Sequence, residues 1–154
     1  MRSAIVRLLG ALATGAALSG CVSHPVGPAR TFGKYEGKAA TTAKSALSNV
    51  ETVRLAAEIA DRGNSTSPYV SVVVSGAEEA LDGLSGTFGS IQPPGDRADE
   101  VRDQLSSLMS NALDHIAAVR IAARRGTLQG LEQVAAPLDG DARALRDFLQ
   151  AHGG

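Results

Sequence analysis

The sequence of 154 residues has no tryptophan, a single cysteine, three histidines, three phenylalanines and two tyrosines. One cysteine excludes an intrachain disulfide, and so few thiol and imidazole groups leave almost nothing for a zinc centre. Lys and Arg (15) nearly balance Asp and Glu (16), and this near-neutral charge argues against a nucleic-acid-binding protein, which usually has a basic domain. Apolar residues form 44% of the chain, which excludes a disordered charged tail and fits a single folded domain.

The N-terminal apolar run is too short to cross a bilayer. Residues 8–18 (LLGALATGAAL) form a run of 11 residues, whereas a membrane-spanning helix needs about 20. The run follows a short segment that contains Arg2 and Arg7 and no acidic residue. This order is typical of a secretory signal peptide.

The residues that follow the run end in the cysteine. Leu18-Ser19-Gly20-Cys21 resembles the lipobox of bacterial lipoproteins, in which Leu, a small residue and Gly or Ala precede the Cys. The resemblance covers residues 1–21. It implies that Cys21 receives a diacylglyceryl group and that a peptidase removes residues 1–20, so that Cys21 becomes the N-terminus and carries two or three acyl chains such as palmitate. Several chains give stable anchoring, because each buried CH₂ contributes about 0.8 kcal/mol. A buried structural cysteine and an uncleaved signal anchor are the alternatives.

A lipoprotein of this kind is extracytoplasmic and lipid-anchored. Arg outnumbers Lys 12 to 3, and Ala and Gly are abundant, which is typical of high-GC genomes and favours a Gram-positive host. The anchor would then lie in the outer face of the plasma membrane. In a Gram-negative host, Val22 in place of Asp after the Cys favours the outer membrane by the rule of the family.

The mature chain is predicted to be all-α. Residues 21–34 are interpreted as the lipidated Cys and a flexible tether, since this stretch has Pro and Gly and no apolar periodicity. Residues 35–154 are interpreted as a helical domain with four periodic stretches, the last of them interrupted by Pro137. Short connections between amphipathic helices favour antiparallel neighbours. The prediction is an up-and-down four-helix bundle with a broken fourth helix.

Four apolar stripes define these helices. They consist of Ala43, Ala46, Leu47, Val50, Val53, Ala57 and Ala60; of Val70, Val73, Val74, Ala77, Leu81, Leu84, Phe88 and Ile91; of Ala98, Val101, Leu105, Leu108, Ala112, His115, Val119 and Ala122, widened by Met109 and Ile116; and of Leu128, Leu131, Ala135 and Leu138, continued by Ala142, Leu145, Phe148 and Leu149. Residues 69–74 are rich in β-branched side chains, as in a strand, but the continuing stripe favours a helix. Ser67, Thr127 and Asp139 are predicted N-caps. Gly76 and Gly83 are predicted to let a neighbouring helix approach closely, with a ligand pocket as the alternative.

His115 is the single residue that suggests a ligand or a proton-transfer group inside the bundle, because it falls on the predicted core stripe. Metal sites of ferritin-like bundles use Glu-x-x-His pairs, whereas the residue three before His115 is Ala112. The favoured interpretation is a histidine at the edge of the core that is hydrogen-bonded to a neighbour.

Two charged clusters lie on the third predicted helix. Its start carries Asp96, Asp99, Glu100 and Asp103, and its end carries Arg120, Arg124 and Arg125. The acidic cluster could bind a cation, but it lacks the glycine turn and terminal Glu of a calcium loop. The basic cluster could bind phosphate or an acidic polymer. Compensation of the helix dipole by solvated side chains is the favoured interpretation of both.

The three lysines, Lys34, Lys38 and Lys44, all lie near the predicted anchor. Basic residues close to a membrane surface are attracted to anionic lipid headgroups by about 1 kcal/mol per charge. A membrane-contacting role is therefore a hypothesis for these lysines, and ordinary solvated side chains are the alternative.

No spacing of Ser, His and Asp or of paired carboxylates indicates catalysis, so we expect a protein that is not an enzyme and uses no cofactor or metal. The favoured function is a membrane-anchored interaction or scaffold module with an envelope protein as its partner. Binding hot spots favour Trp, Tyr and Arg, and the exposed candidates are Tyr35, Tyr69 and the arginine cluster. One alternative is a carrier that holds an apolar or envelope-derived ligand between its helices. Another is an unrecognised enzyme or metal site near His115.

The lipobox predicts the mass of the mature protein. When the protein is gently extracted from its own membranes, native mass spectrometry should find a chain that begins at Cys21 and carries acyl groups. A bound polypeptide would indicate the interaction module, and a stoichiometric small molecule would indicate the carrier. A chain that retains residues 1–20 and has no lipid would contradict the assignment of Cys21.

Overall fold

Five helical segments follow one another in the computed structural model, which describes residues 28–153. They are α1 (Phe32–Asp61), α2 (Ser67–Gly89), α3 (Asp96–Arg124), α4 (Leu131–Ala135) and α5 (Leu138–His152). The first three and the α4–α5 pair form the predicted four-helix bundle, and the fourth helix is broken at Pro137 as expected. The signal peptide, Cys21 and residues 22–27 of the tether lie outside the described residues. Within residues 28–153, none of the helices combines the length and the apolar composition that a membrane crossing requires.

Helix α1 begins three residues before the predicted start of the bundle. Thr31 is its N-cap, and the Thr31 side chain accepts a hydrogen bond from the backbone N–H of Lys34 at 3.4 Å. This bond satisfies one of the amide donors that every helix start leaves open. Residues 32–34, which the sequence assigned to the tether, therefore belong to the bundle.

The three predicted N-caps are wrong. Helix α4 begins after Gly130 and not after Thr127. Helix α2 begins after Thr66, and the Ser67 hydroxyl donates instead to the carbonyl oxygen of Ala123 at 2.6 Å, near the end of α3. Asp139 lies inside the first turn of α5, where its carboxylate pairs with Arg54 of α1. Both side chains join two helices, so their partners come from the tertiary fold and not from the nearby backbone.

Helices α1 and α3 end at glycines with a positive φ. The N–H of Gly63 (φ 75°) donates to the Ala60 carbonyl at 2.9 Å, and the N–H of Asn64 donates to the Ile59 carbonyl at 3.1 Å. This is the Schellman arrangement, which satisfies carbonyls at a helix end. Gly126 (φ 77°) closes α3 in the same way.

The core is centred on α1 and α3. Each of these two helices contacts the other, and each also contacts α2, α4 and α5. Helices α2 and α5 therefore lie on opposite sides of the α1–α3 pair. The buried face of α1 is made mainly of small residues: Ala39, Ala43, Ala46, Val50, Val53, Ala56, Ala57 and Ala60. The larger buried side chains come mostly from the other helices: Leu81, Phe88, Leu105, Met109, Ile116, Leu131, Leu138, Leu145 and Phe148.

The buried stripe of α3 differs from the predicted one in its second half. The prediction followed a strict seven-residue repeat and placed His115 in the core, but Met109 and Ile116 are the fully buried residues and His115 is partly exposed. A straight α-helix drifts by about 20° per heptad relative to a 3.5-residue repeat. Over the length of α3 this drift moves one of the two buried rows by one position, to Met109, Ile116 and Ala123, which leaves His115 at the edge of the core.

The bundle has a near end, at which the described chain begins. The rings of Tyr35 and Phe88 pack with centroids 5.5 Å apart, which places the end of α2 beside the start of α1. The Arg97 guanidinium lies 3.8 Å above the Phe32 ring, which brings in the start of α3. The C-terminus of α5 is held at this end too, by a contact of 3.0 Å between His152 Nδ1 and Glu36 Oε1.

The opposite end is called the far end. There the Asp61 carboxylate accepts a hydrogen bond from the backbone N–H of Gly130, and Ser67 bonds to the end of α3. Helix α1 has 30 residues. At a rise of about 1.5 Å per residue it spans about 45 Å between the two ends.

The close helix approach predicted at Gly76 and Gly83 is wrong. A Cβ atom built on either residue would have no neighbouring atom within 4 Å. Both glycines therefore face open space, and no packing contact requires their small size.

We expect Gly76→Ala to raise the free energy of unfolding by about 0.5–1 kcal/mol, because alanine loses less backbone entropy in a helix and meets no neighbour. Chemical denaturation of the purified protein measures this. Gly126→Ala is the matched control and should lower the free energy by about 1–2 kcal/mol, because Gly126 has the left-handed conformation that alanine avoids. A loss of stability in Gly76→Ala would contradict the open space at that position.

Candidate functional site

A groove with a volume of about 670 Å³ lies between the first half of α1 and the second half of α2. We call it the α1–α2 groove. Its α1 side is lined by Gly33, Lys34, Gly37, Lys38, Thr41, Thr42 and Ser45. Its α2 side is lined by Ala80, Gly83, Leu84, Thr87 and Phe88, with Ile91 just beyond the helix. Of these residues, sequence analysis singled out only Gly83 as a pocket residue, and only as the alternative interpretation.

Two of the four hydroxyl groups that line the groove are bonded within α1. Thr41 Oγ1 donates to the Gly37 carbonyl at 2.9 Å, and Ser45 Oγ donates to the Thr41 carbonyl at 3.2 Å. Such bonds back to the preceding turn use the hydroxyl hydrogen locally. The hydroxyls of Thr42 and Thr87 also line the groove, and the rest of its wall is mainly hydrocarbon.

The charged side chains that line the α1–α2 groove are all basic. Two lysines and no carboxylate line it. A cleft between α1 and the α4–α5 segment is lined instead by five carboxylates and one arginine, and another between α2 and α3 by four carboxylates and two arginines. Among these three depressions, only the groove favours an anion.

The predicted lysine cluster divides into two parts. All three lysines lie in the first half of α1, close to the near end. Lys34 and Lys38, one turn apart, line the groove, whereas Lys44 is exposed on the same helix and does not line it.

The exposed large apolar side chains of residues 28–153 all lie towards the far end. They are Leu55, Ile59, Tyr69, Val72 and Ile121, and we call them the far-end apolar residues. They belong to the last two turns of α1, the first two turns of α2 and the last turn of α3. Tyr69 and Val72 are the most exposed, at 63% and 73%.

The two tyrosines named as binding candidates differ. Tyr69 is exposed, as predicted. Tyr35 is fully buried against Phe88, so its assignment to the surface was wrong. The difference arises because α1 begins early and places Tyr35 on the core face of its first turn.

His115 joins α3 to α5. Its Nδ1 atom lies 2.7 Å from Asp141 Oδ2, and the two side chains are 39% and 11% exposed. This confirms the interpretation of His115 as a hydrogen-bonded residue at the edge of the core. Within residues 28–153, no three His, Cys, Asp or Glu side chains come together in a way that could hold a metal ion.

The acidic cluster at the start of α3 is partly neutralised. Arg102 Nη2 lies 2.8 Å from Asp99, and Arg102 Nε lies 3.4 Å from Asp103. Asp96 and Asp99 lie in the first turn, where negative charge interacts favourably with the positive end of the helix dipole. This arrangement agrees with the dipole interpretation.

The basic cluster at the end of α3 is turned towards α2. Arg120 holds Glu78 through both Nε and Nη2, with 3.2 Å between Nη2 and Oε1. Arg124 Nη2 lies 3.5 Å from the Ser75 hydroxyl. These two guanidinium groups therefore join α2 to α3, which leaves Arg125 as the member of the cluster at the helix end.

One buried polar atom has no partner among the described residues. The Tyr35 hydroxyl is inaccessible and no group of residues 28–153 hydrogen-bonds to it. Burial raises the pKa of this phenol above its ordinary value of 10.0. A buried group without a hydrogen bond destabilises the folded state.

Comparison of the chain with known protein families, with curated proteins and with solved structures finds no match. Its function is therefore inferred from its own residues.

We expect Tyr35→Phe to raise the free energy of unfolding by about 1 kcal/mol at neutral pH, because it removes the unpaired hydroxyl and keeps the ring that packs on Phe88. The gain should grow above pH 10. There the unfolded wild-type phenol ionises while the folded one resists ionisation, so the wild type loses stability as the pH rises towards the folded-state pKa. Denaturant titrations at pH 7 and above pH 10 measure both effects. A less stable Phe variant at pH 7 would show that the hydroxyl has a partner.

Proposed function

We propose that this protein is an extracytoplasmic lipoprotein, anchored through acylated Cys21, whose bundle is a non-enzymatic interaction module that holds an envelope protein at its far end. The observation that carries the proposal is the position of the far-end apolar residues. They lie at the opposite end of the bundle from the point at which the described chain begins.

The distances along the chain place the far-end apolar residues away from the anchor. Cys21 precedes Pro28 by seven residues, which extend to about 25 Å at most. From Phe32 to Leu55, α1 adds about 35 Å at a rise of about 1.5 Å per residue. An anchored chain therefore keeps its near end close to the membrane and presents its far end to proteins in the surrounding envelope. In the favoured Gram-positive host, the anchor lies in the outer face of the plasma membrane.

The chemistry of the far end suits a protein partner. Full burial of a side chain such as Val or Leu contributes about 1.5–3 kcal/mol. Tyr is also among the residue types that dominate binding energy at interfaces. Tyr69 and Val72, which lie on successive turns of α2 and are mostly exposed, are the expected centre of the contact.

The ionisable side chains form pairs between helices, which supports a role as a scaffold. Arg120 pairs with Glu78, His115 with Asp141 and His152 with Glu36, and each pair joins two different helices. Within residues 28–153 no charged residue is buried. These groups hold the helices in place, which is the role expected in an interaction module.

A double variant, Tyr69→Ser with Val72→Ser, tests the far end. Native mass spectrometry of the acylated protein, gently extracted from its own membranes, should find a polypeptide bound to the wild type and at least tenfold less of it bound to the variant, because two apolar anchors are lost. Both substituted side chains are exposed, so the fold should be unchanged.

Gln104→Ser, at an exposed position in the first half of α3, is the matched control and should leave the complex intact. A partner retained by the double variant would place the interface elsewhere. A wild-type chain that carries lipid but no polypeptide would contradict the interaction module and leave the anchor standing.

A further inference from the structure

We infer that the α1–α2 groove binds one acyl chain of an anionic membrane lipid, with the acidic headgroup held by Lys34 and Lys38. The inference goes beyond the proposed interaction at the far end and uses none of its residues. Only the source of the lipid, the membrane next to the near end, depends on the proposed anchoring.

The dimensions of the groove fit a single acyl chain. Its lining runs along α1 from Gly33 to Ser45, which is about 18 Å at a rise of about 1.5 Å per residue. A bilayer has a hydrocarbon core of about 30 Å, so the chains of one leaflet extend over about 15 Å. The volume of about 670 Å³ gives such a chain room along the whole groove.

Missing side chains keep the groove open. A Cβ atom on Gly33, Gly37 or Gly83 would meet no neighbouring atom within 4 Å, so each of these glycines borders empty space and not a packed neighbour. Larger residues at these positions would project into the groove without displacing the core. Glycine is a poor helix former, and the groove is thus kept wide at the expense of helix propensity.

The walls favour hydrocarbon over a peptide. Leu84, Phe88 and Ile91 line the α2 side. On the α1 side, the Thr41 and Ser45 hydroxyls already donate to carbonyls of their own helix. The hydroxyls of Thr42 and Thr87 are too few to satisfy the N–H and C=O groups of a peptide backbone laid along the groove, whereas an acyl chain needs no partner.

The charge selects an anionic headgroup. Lys34 and Lys38 follow one another on the same face of α1, and no carboxylate lines the groove. Ammonium groups bind phosphate as point charges. The two acid-lined depressions elsewhere on the bundle would repel the same headgroup.

Photolabelling of the acylated mature protein tests the inference. The protein is reconstituted in phosphatidylcholine nanodiscs and exposed to lysophosphatidylglycerol with a diazirine in its acyl chain, and the labelled peptides are identified by mass spectrometry. Labelling should concentrate on residues 33–45 and 80–91. The zwitterionic probe, lysophosphatidylcholine, should label these residues at least fivefold less.

Two double variants, each with a matched control, locate the site. Gly37→Leu with Gly83→Leu should fill the groove and lower labelling at least tenfold, whereas Gly76→Leu, outside the groove on α2, should leave it unchanged. Lys34→Gln with Lys38→Gln should lower labelling by the anionic probe at least fivefold, whereas Lys44→Gln should not. The lysine pair leaves the core untouched and so tests the site even if the leucine pair fails to fold.

Labelling spread over the surface, or equal in Gly37→Leu with Gly83→Leu and Gly76→Leu, would overturn the inference. An equal loss in Lys44→Gln would reduce it to general surface attraction, which also overturns it. Labelling of an unacylated Cys21→Ala chain but not of the acylated protein would show that the acyl group of Cys21 fills the groove, and would overturn a membrane lipid as the occupant. Each result is independent of whether a partner binds the far end.

Discussion

The short side chains on the core face of α1 are the constraint on which the rest of the structure depends. Ala39, Ala43, Ala46 and Ala57 are fully buried, and none of them extends beyond its Cβ atom. Helix α3 can therefore pack directly against α1 along the diagonal of the bundle, with α2 and α5 on either side. The bulk of the core is supplied from the other helices, for example by Leu105 of α3. Because α1 runs from the near end to the far end, it also sets the positions of both proposed binding surfaces.

Charged pairs hold the last helix in place. Asp141 of α5 contacts His115 of α3, and Arg146 and His152 of α5 pair with acidic residues of α1. Most of these side chains are partly exposed, and exposed ion pairs contribute about 0–1 kcal/mol each. Their main effect is to fix the position of α5 against its neighbours. The stability of the bundle comes from the apolar core.

The helical architecture was predictable because it depends on periodicity and on Pro137, both of which are visible in the sequence. The assignments that failed depend on contacts between distant segments. Ser67 has the composition of an N-cap, but its hydroxyl bonds to the carbonyl of Ala123, fifty-six residues away. The predicted stripe of α3 included His115 in place of Ala123 because a strict heptad does not follow the drift of a straight helix.

The proposed binding surfaces were harder to predict from the sequence than the helices. Gly83 was expected to face a helix, and it faces an open groove, because the direction of a glycine on a helix surface depends on where the neighbours lie. Val72 is mostly exposed although Val70 and Val74 beside it are buried. A run of similar apolar residues does not reveal which of them is exposed to solvent. The pairing of Gly33 with Gly37, one turn apart and each followed by a lysine, was the signal that could have indicated the groove.

The span of α1 has a mechanical consequence. The described chain begins at one end of this helix, and the far-end apolar residues lie at the other. A force applied between the start of the described chain and Tyr69 or Val72 of α2 acts along the bundle axis, parallel to the interface of α1 with α2. Such a load shears the contacts of this interface together and does not peel them apart one by one. The α1–α2 interface is therefore oriented to resist tension along the bundle as a single unit.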